Sequence, residues 1–185
     1  HLLIPCGMKD TTFWPDINKS KRVAKSYRPS KEGDLEETKV YIVKGELSDR
    51  RRTPFASGGL YSTAADVTAF YQMMLNGGVS QGKRLLKKKT VSQMTQTQTG
   101  NIETGFVDGM SWGLGFQVVK KPKGATGVFS SGTYGHGGAY ATQSWADPNT
   151  GLIYVLMIQR AGFPNGDNSL VRKGFQQAAV DEFVR

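Results

Sequence analysis

The segment that organises this sequence is Tyr134-Gly-His-Gly-Gly-Ala-Tyr140, in which one histidine is flanked by glycines and then by tyrosines. Glycine has no Cβ, so backbone or ligand atoms can come close to it. The residues that follow predict a hairpin, with a strand over 141–146, a turn over 147–151 and an apolar strand over 152–158. His136 is therefore predicted at the start of a sheet strand, where neighbouring backbone N–H groups can hold an anionic oxygen. The structural alternative is a turn histidine that is hydrogen-bonded to a loop carbonyl.

Two helices are predicted upstream, because apolar residues recur there at three- and four-residue spacing. The first follows Thr63, whose hydroxyl can cap it, and Asp66 stands three residues later as in a capping box. It ends at Gly77-Gly78, which supplies a C-terminal stop. The second covers about residues 87–95. The run from Trp112 to Lys120 is predicted as one strand, with glycines where another backbone comes close.

The remaining elements give the fold class. A last helix is predicted after Ser169. Its apolar face comprises Leu170, Val171, Phe175, Ala178, Ala179 and Phe183. The polar stretch from Arg28 to Glu37 is predicted as an exposed loop. We therefore predict an α+β fold in which antiparallel strands are covered by a C-terminal helix, with a mostly helical lobe beside them. This divides the chain into a helical and loop lobe over residues 1–108 and a sheet-and-helix unit over 109–185.

The composition argues against several classes of function. The chain has 185 residues and a net charge of +9, but its basic residues are scattered and no strand interleaves them with aromatics, which argues against nucleic-acid binding. No apolar run approaches the roughly 18 residues that span a bilayer. The single cysteine, Cys6, excludes an internal disulfide, and no acid or histidine adjoins it to activate it as a nucleophile. Two distant histidines give no metal-ligand spacing, so we expect no metal and no cofactor.

Several segments recur in the order and spacing of a known family. They are Pro5–Thr12, Gly58–Val67, Asn76–Gly78, Arg84–Leu86, Trp112–Phe116 and Gly135–Gly138, the last followed by Trp145, Asp147-Pro148 and Gly151. Together they resemble the serine β-lactamase superfamily, and within it the class C β-lactamase-related branch with its esterases and D,D-peptidases. Each segment is a weak signal alone, but they are collinear over nearly the whole chain. The resemblance implies a partial β-lactamase/transpeptidase-like fold.

The resemblance also implies roles for the histidine segment. In that family the nucleophile is the serine of S-x-x-K, aided by a Tyr-x-Asn element, and both face a third element, K-T-G or H-x-G, on an inner strand. His136-Gly137-Gly138 matches the third element. By resemblance, His136 assists proton transfer at the serine, and the N–H of Ala139 is one of two oxyanion-hole donors. Gly137, Gly138 and Tyr140 are then expected to contact the substrate, with Gly138 keeping the strand edge open.

The other two family elements are expected outside this chain. None of the tyrosines begins a Tyr-x-Asn element. Lysine does not occur three residues after Ser20, Ser26, Ser48, Ser130, Ser131 or Ser169. In the family both elements lie upstream of the part that this chain resembles, and the chain opens at His1 without a Met or a leader. We therefore expect that an N-terminal segment carrying the nucleophile is missing.

Two functions follow as hypotheses. The first is the C-terminal part of a β-lactamase-related serine hydrolase, which cleaves an ester, amide or β-lactam through an acyl-serine and is inactive alone. The second is a non-catalytic domain that recognises cell-wall fragments or a partner. Without N-terminal strands, a bare sheet edge is expected, which binds either the missing segment or a second copy of the chain. An extracytoplasmic location is expected from the resemblance only.

Overall fold

The computed structural model describes residues 1–40, 43–102, 104, 107–163 and 166–184. The helices in these ranges are α1 (Ile17–Ser20), α2 (Ala64–Leu75), α3 (Lys88–Thr95) and α4 (Leu170–Phe183). The strands are β1 (Ser26–Pro29), β2 (Leu35–Thr38), β3 (Val79–Ser80), β4 (Lys83–Arg84), β5 (Met110–Trp112), β6 (Gln117–Val119), β7 (Tyr134–Gly137), β8 (Gln143–Ala146) and β9 (Ile153–Leu156). Across the described ranges, no helix is both long and apolar enough to cross a membrane.

Strands β5 to β9 form one antiparallel sheet in chain order, so each strand pairs with the next along the sequence. The two outer strands of this sheet are β5 and β9. Two small hairpins, β1–β2 and β3–β4, form separate two-stranded sheets, and Tyr27 of β1 also bridges to Arg160 beyond the end of β9. The predicted α+β class and the predicted β8–β9 hairpin are confirmed.

Successive side chains of each strand point to opposite faces of the sheet, and each face packs into a separate hydrophobic core. Val118 contributes to a cluster that includes Tyr71, Met73 and Met74 of α2. Its neighbour Val119, which is fully buried, contributes to the opposite cluster. That second cluster also contains Met110, Phe129, Trp145 and Tyr154, with Phe175, Ala179 and Val180 of α4 packed against it. The sheet is therefore covered by α2 on one face and by α4 on the other, as the prediction of a covering C-terminal helix requires.

The start of α2 confirms one predicted cap and revises another. The backbone N–H of Asp66 donates to the Thr63 hydroxyl at 3.2 Å, so Thr63 caps the helix. The Asp66 carboxylate does not complete a capping box. Its Oδ2 accepts instead from the Asp10 N–H at 2.8 Å and from the Thr11 hydroxyl at 2.7 Å. Asp66 thus fixes the N-terminal segment of the chain against α2.

Two predictions of local structure are wrong. The stretch from Trp112 to Lys120 is two strands, because Gly115 has φ +84° and turns the chain between β5 and β6. The predicted loop from Arg28 to Glu37 contains most of the β1–β2 hairpin. Its strands carry ion pairs rather than an apolar face, with Arg28 Nε 2.7 Å from Glu36 Oε1. Neither β-strand propensity nor alternation marks such an exposed hairpin.

The last helix and the histidine also differ in part from prediction. Ser169 caps α4 by accepting from the Arg172 N–H at 3.2 Å, as predicted. The predicted apolar face is only partly correct, because Leu170 is 85% exposed while Arg172 and Gln176 are buried. Val171 and Phe183 are also exposed. His136 is the third residue of the four in β7, so it lies near the end of its strand rather than at the start. The division at residues 108 and 109 stays a prediction.

Candidate active site

A cleft of about 1220 Å³ runs along one end of the sheet. Its floor includes Val67 and Phe70 of α2, Met94 of α3 and Phe116. All five predicted site residues line it: His136, Gly137, Gly138, Ala139 and Tyr140. The end of β7 and the turn after it therefore form one wall of this cleft, which we call the histidine wall.

His136 presents an exposed ring to this cleft. Its Nδ1 is in hydrogen-bonding contact with the Gly137 carbonyl. A carbonyl oxygen only accepts, so Nδ1 carries the proton in this contact, and Nε2 is the ring nitrogen left for a ligand in the cleft. The ring also lies 5.2 Å from the Trp112 ring, centroid to centroid. An imidazole that is oriented through Nδ1 and has Nε2 available can act as a general base.

The turn after β7 presents a backbone donor beside this imidazole. The turn is closed by Gly138 N–H donating to the Thr142 carbonyl at 2.8 Å and by Ala141 N–H donating to the Gly138 carbonyl at 2.9 Å. Ala141 has φ +67°, which is unusual for a residue other than glycine. No acceptor in the described part of the chain takes the Ala139 N–H. Ala139 is exposed and lines the cleft, so its N–H is available to an oxygen bound there.

The glycines of this segment are required by packing within the protein. A Cβ on Gly135 would lie 2.1 Å from the Ser144 carbonyl oxygen. A Cβ on Gly137 would lie 1.8 Å from Asp167 Oδ1. A Cβ on Gly138 would meet the Thr142 hydroxyl at 2.3 Å. The sequence correctly indicates close approach at these positions, but the approaching atoms belong to the sheet and its neighbours.

Two buried tyrosines, Tyr71 and Tyr134, and Asp10, which lines the cleft, have pKa values shifted from their ordinary ones. Tyr71 donates its hydroxyl to the Ser144 carbonyl at 2.9 Å, and burial raises the pKa of Tyr71 to about 12. Burial also raises the pKa of Tyr134. On the rim, Asp10 pairs with Arg22 at 3.0 Å and with Lys19 at 3.2 Å, and these cations lower the Asp10 pKa. In the described ranges, no group of three His, Cys, Asp or Glu residues could hold a metal ion.

One serine has the S-x-x-K spacing that the serines compared above lack. Ser80 is followed by Lys83, so the expectation that this spacing lies wholly outside the chain is wrong. The pair belongs to the β3–β4 hairpin, where Ser80 and Lys83 face each other across a turn formed by Gln81 and Gly82 at φ +48° and +74°. Ser80 is 9% exposed and does not line the cleft. The spacing alone therefore does not make Ser80 the partner of His136.

Cys6 is likewise no candidate nucleophile. The thiol is 3% exposed, and burial raises its pKa although a hydrogen bond with Ser80 opposes that shift. A thiol that is less easily ionised is a weaker nucleophile at neutral pH. The side chain belongs to the core cluster under α2, which accounts for it structurally.

The sheet, its two helical faces and the histidine wall define a β-lactamase-like fold. Simvastatin synthase (LovD) from Aspergillus terreus superposes with a TM-score of 0.73 and 19% identity, covering 100% of this chain and 48% of that protein. EstCE1, a hydrolase with promiscuous acyltransferase activity, superposes with a TM-score of 0.69 and 20% identity, covering 95% of this chain and 47% of that one. The model of the beta-lactamase family matches residues 1–179, and the chain belongs to this family.

Two curated relatives extend the comparison. An uncharacterized protein of Mycobacterium tuberculosis is 30% identical over 172 residues, covering 86% of this chain and 41% of that protein. A putative D-alanyl-D-alanine carboxypeptidase of Salmonella agona is 28% identical over 133 residues, covering 71% of this chain and 28% of that protein. The chain thus spans less than half the length of these relatives.

Proposed function

We propose that this chain forms one wall of an acyl-serine hydrolase site, with the attacking serine supplied by polypeptide outside residues 1–185. One observation carries the proposal: the exposed His136 ring and the unpaired Ala139 N–H lie side by side on the same cleft. Acyl transfer by a serine needs a group that handles its proton and a donor for the developing oxyanion. His136 meets the first need and Ala139 meets half of the second.

The size of the cleft is consistent with a further segment of polypeptide in it. Small-molecule sites usually enclose about 300–1,000 Å³, which is less than the volume found here. Leu114 and Leu60, which line the cleft, are 54% and 45% exposed. We infer that the segment that carries the nucleophile packs in this cleft opposite His136. The relatives' greater length supports this inference.

The outer edge of β9 gives such a segment a second point of attachment. In the ladder with β8, the Asp147 N–H donates to the Leu152 carbonyl, and antiparallel pairing alternates along a strand. The backbone groups of Ile153 and Val155 therefore point away from β8. Unpaired edges of this kind bind another strand. The segment's own strand is the first candidate for this edge, and a second copy of the chain is the other.

The reaction follows from these parts. The serine oxygen attacks the substrate carbonyl while its proton passes to His136, the Ala139 N–H stabilises the oxyanion, and His136 then gives the proton to the departing alcohol or amine. Expulsion of an alcohol or amine leaves an acyl-serine, which water hydrolyses. Two of the related proteins are named for reactions of this kind. One is a putative D-alanyl-D-alanine carboxypeptidase, and the other is a hydrolase with promiscuous acyltransferase activity. The proposed substrates are accordingly esters, amides or β-lactams.

The proposal is tested with a fluorophosphonate probe and peptide mapping by mass spectrometry. The protein is expressed in two forms. One is residues 1–185, and the other is the full open reading frame that contains them, which we call the longer polypeptide. We expect label on a serine outside residues 1–185 of the longer form, and none on the short form. Ser80→Ala is the matched control, and it should leave labelling unchanged. Label on Ser80 would contradict the proposal, and a longer form that takes no label would favour a non-catalytic binding domain.

A further inference from the structure

A buried polar network lies directly behind the histidine wall. Gln143 Nε2 donates to Asp167 Oδ1 at 2.8 Å, and Trp145 Nε1 donates to Gln143 Oε1 at 2.8 Å. Arg172 Nη1 donates to the Asp167 carbonyl at 2.5 Å. Gln143, Trp145 and Arg172 are each no more than 2% exposed. The network therefore joins α4 to strand β8 through Asp167.

The network ends on the backbone of the histidine segment. Gly137 and Gln143 are paired across β7 and β8. Asp167 Oδ1 lies 1.8 Å from the position that a Cβ on Gly137 would occupy, and Gln143 Nε2 lies 2.6 Å from it. Both polar groups are thus packed against Gly137. This glycine lies only two residues before Ala139, whose N–H the turn presents to the cleft.

The charges in the network keep it together. Arg172 Nη1 is 3.9 Å from Asp167 Oδ1, and the Arg172 guanidinium lies 4.4 Å over the Trp145 ring. Burial lowers the pKa of Arg172 to about 10, which still leaves it protonated at neutral pH. Removing one member of a buried charged pair leaves the other without compensation. Asp167 is therefore held in one place, and so is the backbone against which it packs.

The turn also has restraints of its own, since the Arg160 N–H donates to the Tyr140 carbonyl at 3.2 Å. It is closed by two backbone hydrogen bonds, and it contains Ala141 in a left-handed conformation. A residue other than glycine persists in that conformation when its surroundings fix it. Asp167 and Gln143 contact the strand end from which this turn begins.

We propose that Asp167, acting with Gln143, is a positioning residue that fixes the Gly137–Ala139 backbone so that the Ala139 N–H faces the acyl oxygen of the substrate. This role rests on the proposed acyl-serine function. Asp167 does not line the cleft and acts through Gly137. Its loss therefore lowers the rate of acylation more than it weakens the binding of substrate.

The test combines amide exchange in residues 1–185 with acylation kinetics in the longer polypeptide. Asp167→Ala removes the acceptor for Gln143, whereas Asp167→Asn retains an oxygen there. We expect Asp167→Ala to speed hydrogen exchange at the Gly138 and Ala141 amides, whose hydrogen bonds close the turn, by about tenfold and to lower kcat by about tenfold, with KM within about twofold. Asp167→Asn should restore most of both. Asp181→Ala, which removes an exposed carboxylate of α4 bonded to Gln177, is the matched control and should change neither.

The two readouts separate failure of this inference from failure of the proposed function. If Asp167→Ala lowers the melting temperature but leaves exchange at Gly138 and Ala141 and kcat unchanged, Asp167 is merely structural and the inference is wrong. If exchange changes as expected but the longer polypeptide is never acylated, Asp167 positions the turn and the acyl-serine function is wrong.

Discussion

Gly135→Ala is expected to lower the free energy of unfolding by about 3 kcal/mol, because there is no room for the added methyl group. The new Cβ would lie 2.1 Å from the Ser144 carbonyl oxygen and 2.7 Å from the Trp145 Cα, both of which are backbone atoms of the paired strand. Backbone in the middle of a five-stranded sheet cannot move aside without breaking the ladder on both sides. Urea denaturation followed by circular dichroism measures the effect.

A second glycine provides the matched control for that prediction. Gly174 lies within α4, and a Cβ there would have no atom within 4 Å. Since alanine favours helix more than glycine does, Gly174→Ala should stabilise the protein by about 0.5–1 kcal/mol. If Gly135→Ala costs less than about 1 kcal/mol, the close pairing of β7 with β8 described here is incorrect.

His136→Asn is expected to slow acylation of the longer polypeptide by about a hundredfold, which is the low end for losing a general acid–base group. With Nδ1 bonded to the Gly137 carbonyl, Nε2 is the ring nitrogen that can exchange a proton with the serine, and an asparagine side chain has no comparable basicity. The ring is exposed, so its replacement should leave the melting temperature within about two degrees. Stopped-flow measurement of fluorophosphonate or ester acylation gives the rate.

The only other histidine in the sequence is the control for this experiment. His1 does not line the cleft, and His1→Ala should leave the acylation rate unchanged. If His136→Asn is acylated as fast as the wild type, His136 has only a structural role, as a strand histidine hydrogen-bonded to the Gly137 carbonyl. That outcome would support the structural alternative posed by the sequence.

Periodicity and capping predicted the helices because these signals are local. Apolar spacing and Thr63 placed α2 within one residue of its observed start, and Ser169 did the same for α4. The β8–β9 hairpin was predictable for a similar reason, since its turn separates two runs of strand-forming residues. The β1–β2 hairpin was missed because its strands are exposed and are joined by ion pairs such as Arg28 with Glu36.

The candidate site was predictable only in part. A histidine between glycines drew attention to residues 136–140, and all of them line the cleft. The network behind them gave no sequence signal, because Asp167 and Arg172 resemble an ordinary turn residue and an ordinary surface residue of a helix. Their burial depends on α4 crossing the sheet over Trp145, which no local pattern encodes.

Spacing alone also misleads in this protein. Ser80 and Lys83 have the separation expected of a nucleophile and its helper, but they lie in a hairpin away from the cleft. The same separation on a helix places both side chains on one face, which a two-residue turn does not reproduce. A catalytic spacing is therefore informative only together with the element that carries it.

The most direct test of the account is a crystal structure of the longer polypeptide inhibited by a fluorophosphonate. The measured quantity is the distance from the phosphonyl oxygen to the Ala139 nitrogen. We expect about 2.7–3.1 Å, the range for a donor in an oxyanion hole, with the His136 ring on the same side of the cleft. A phosphonyl group bound to Ser80, or one whose oxygens lie beyond hydrogen-bonding distance of Ala139, would contradict it.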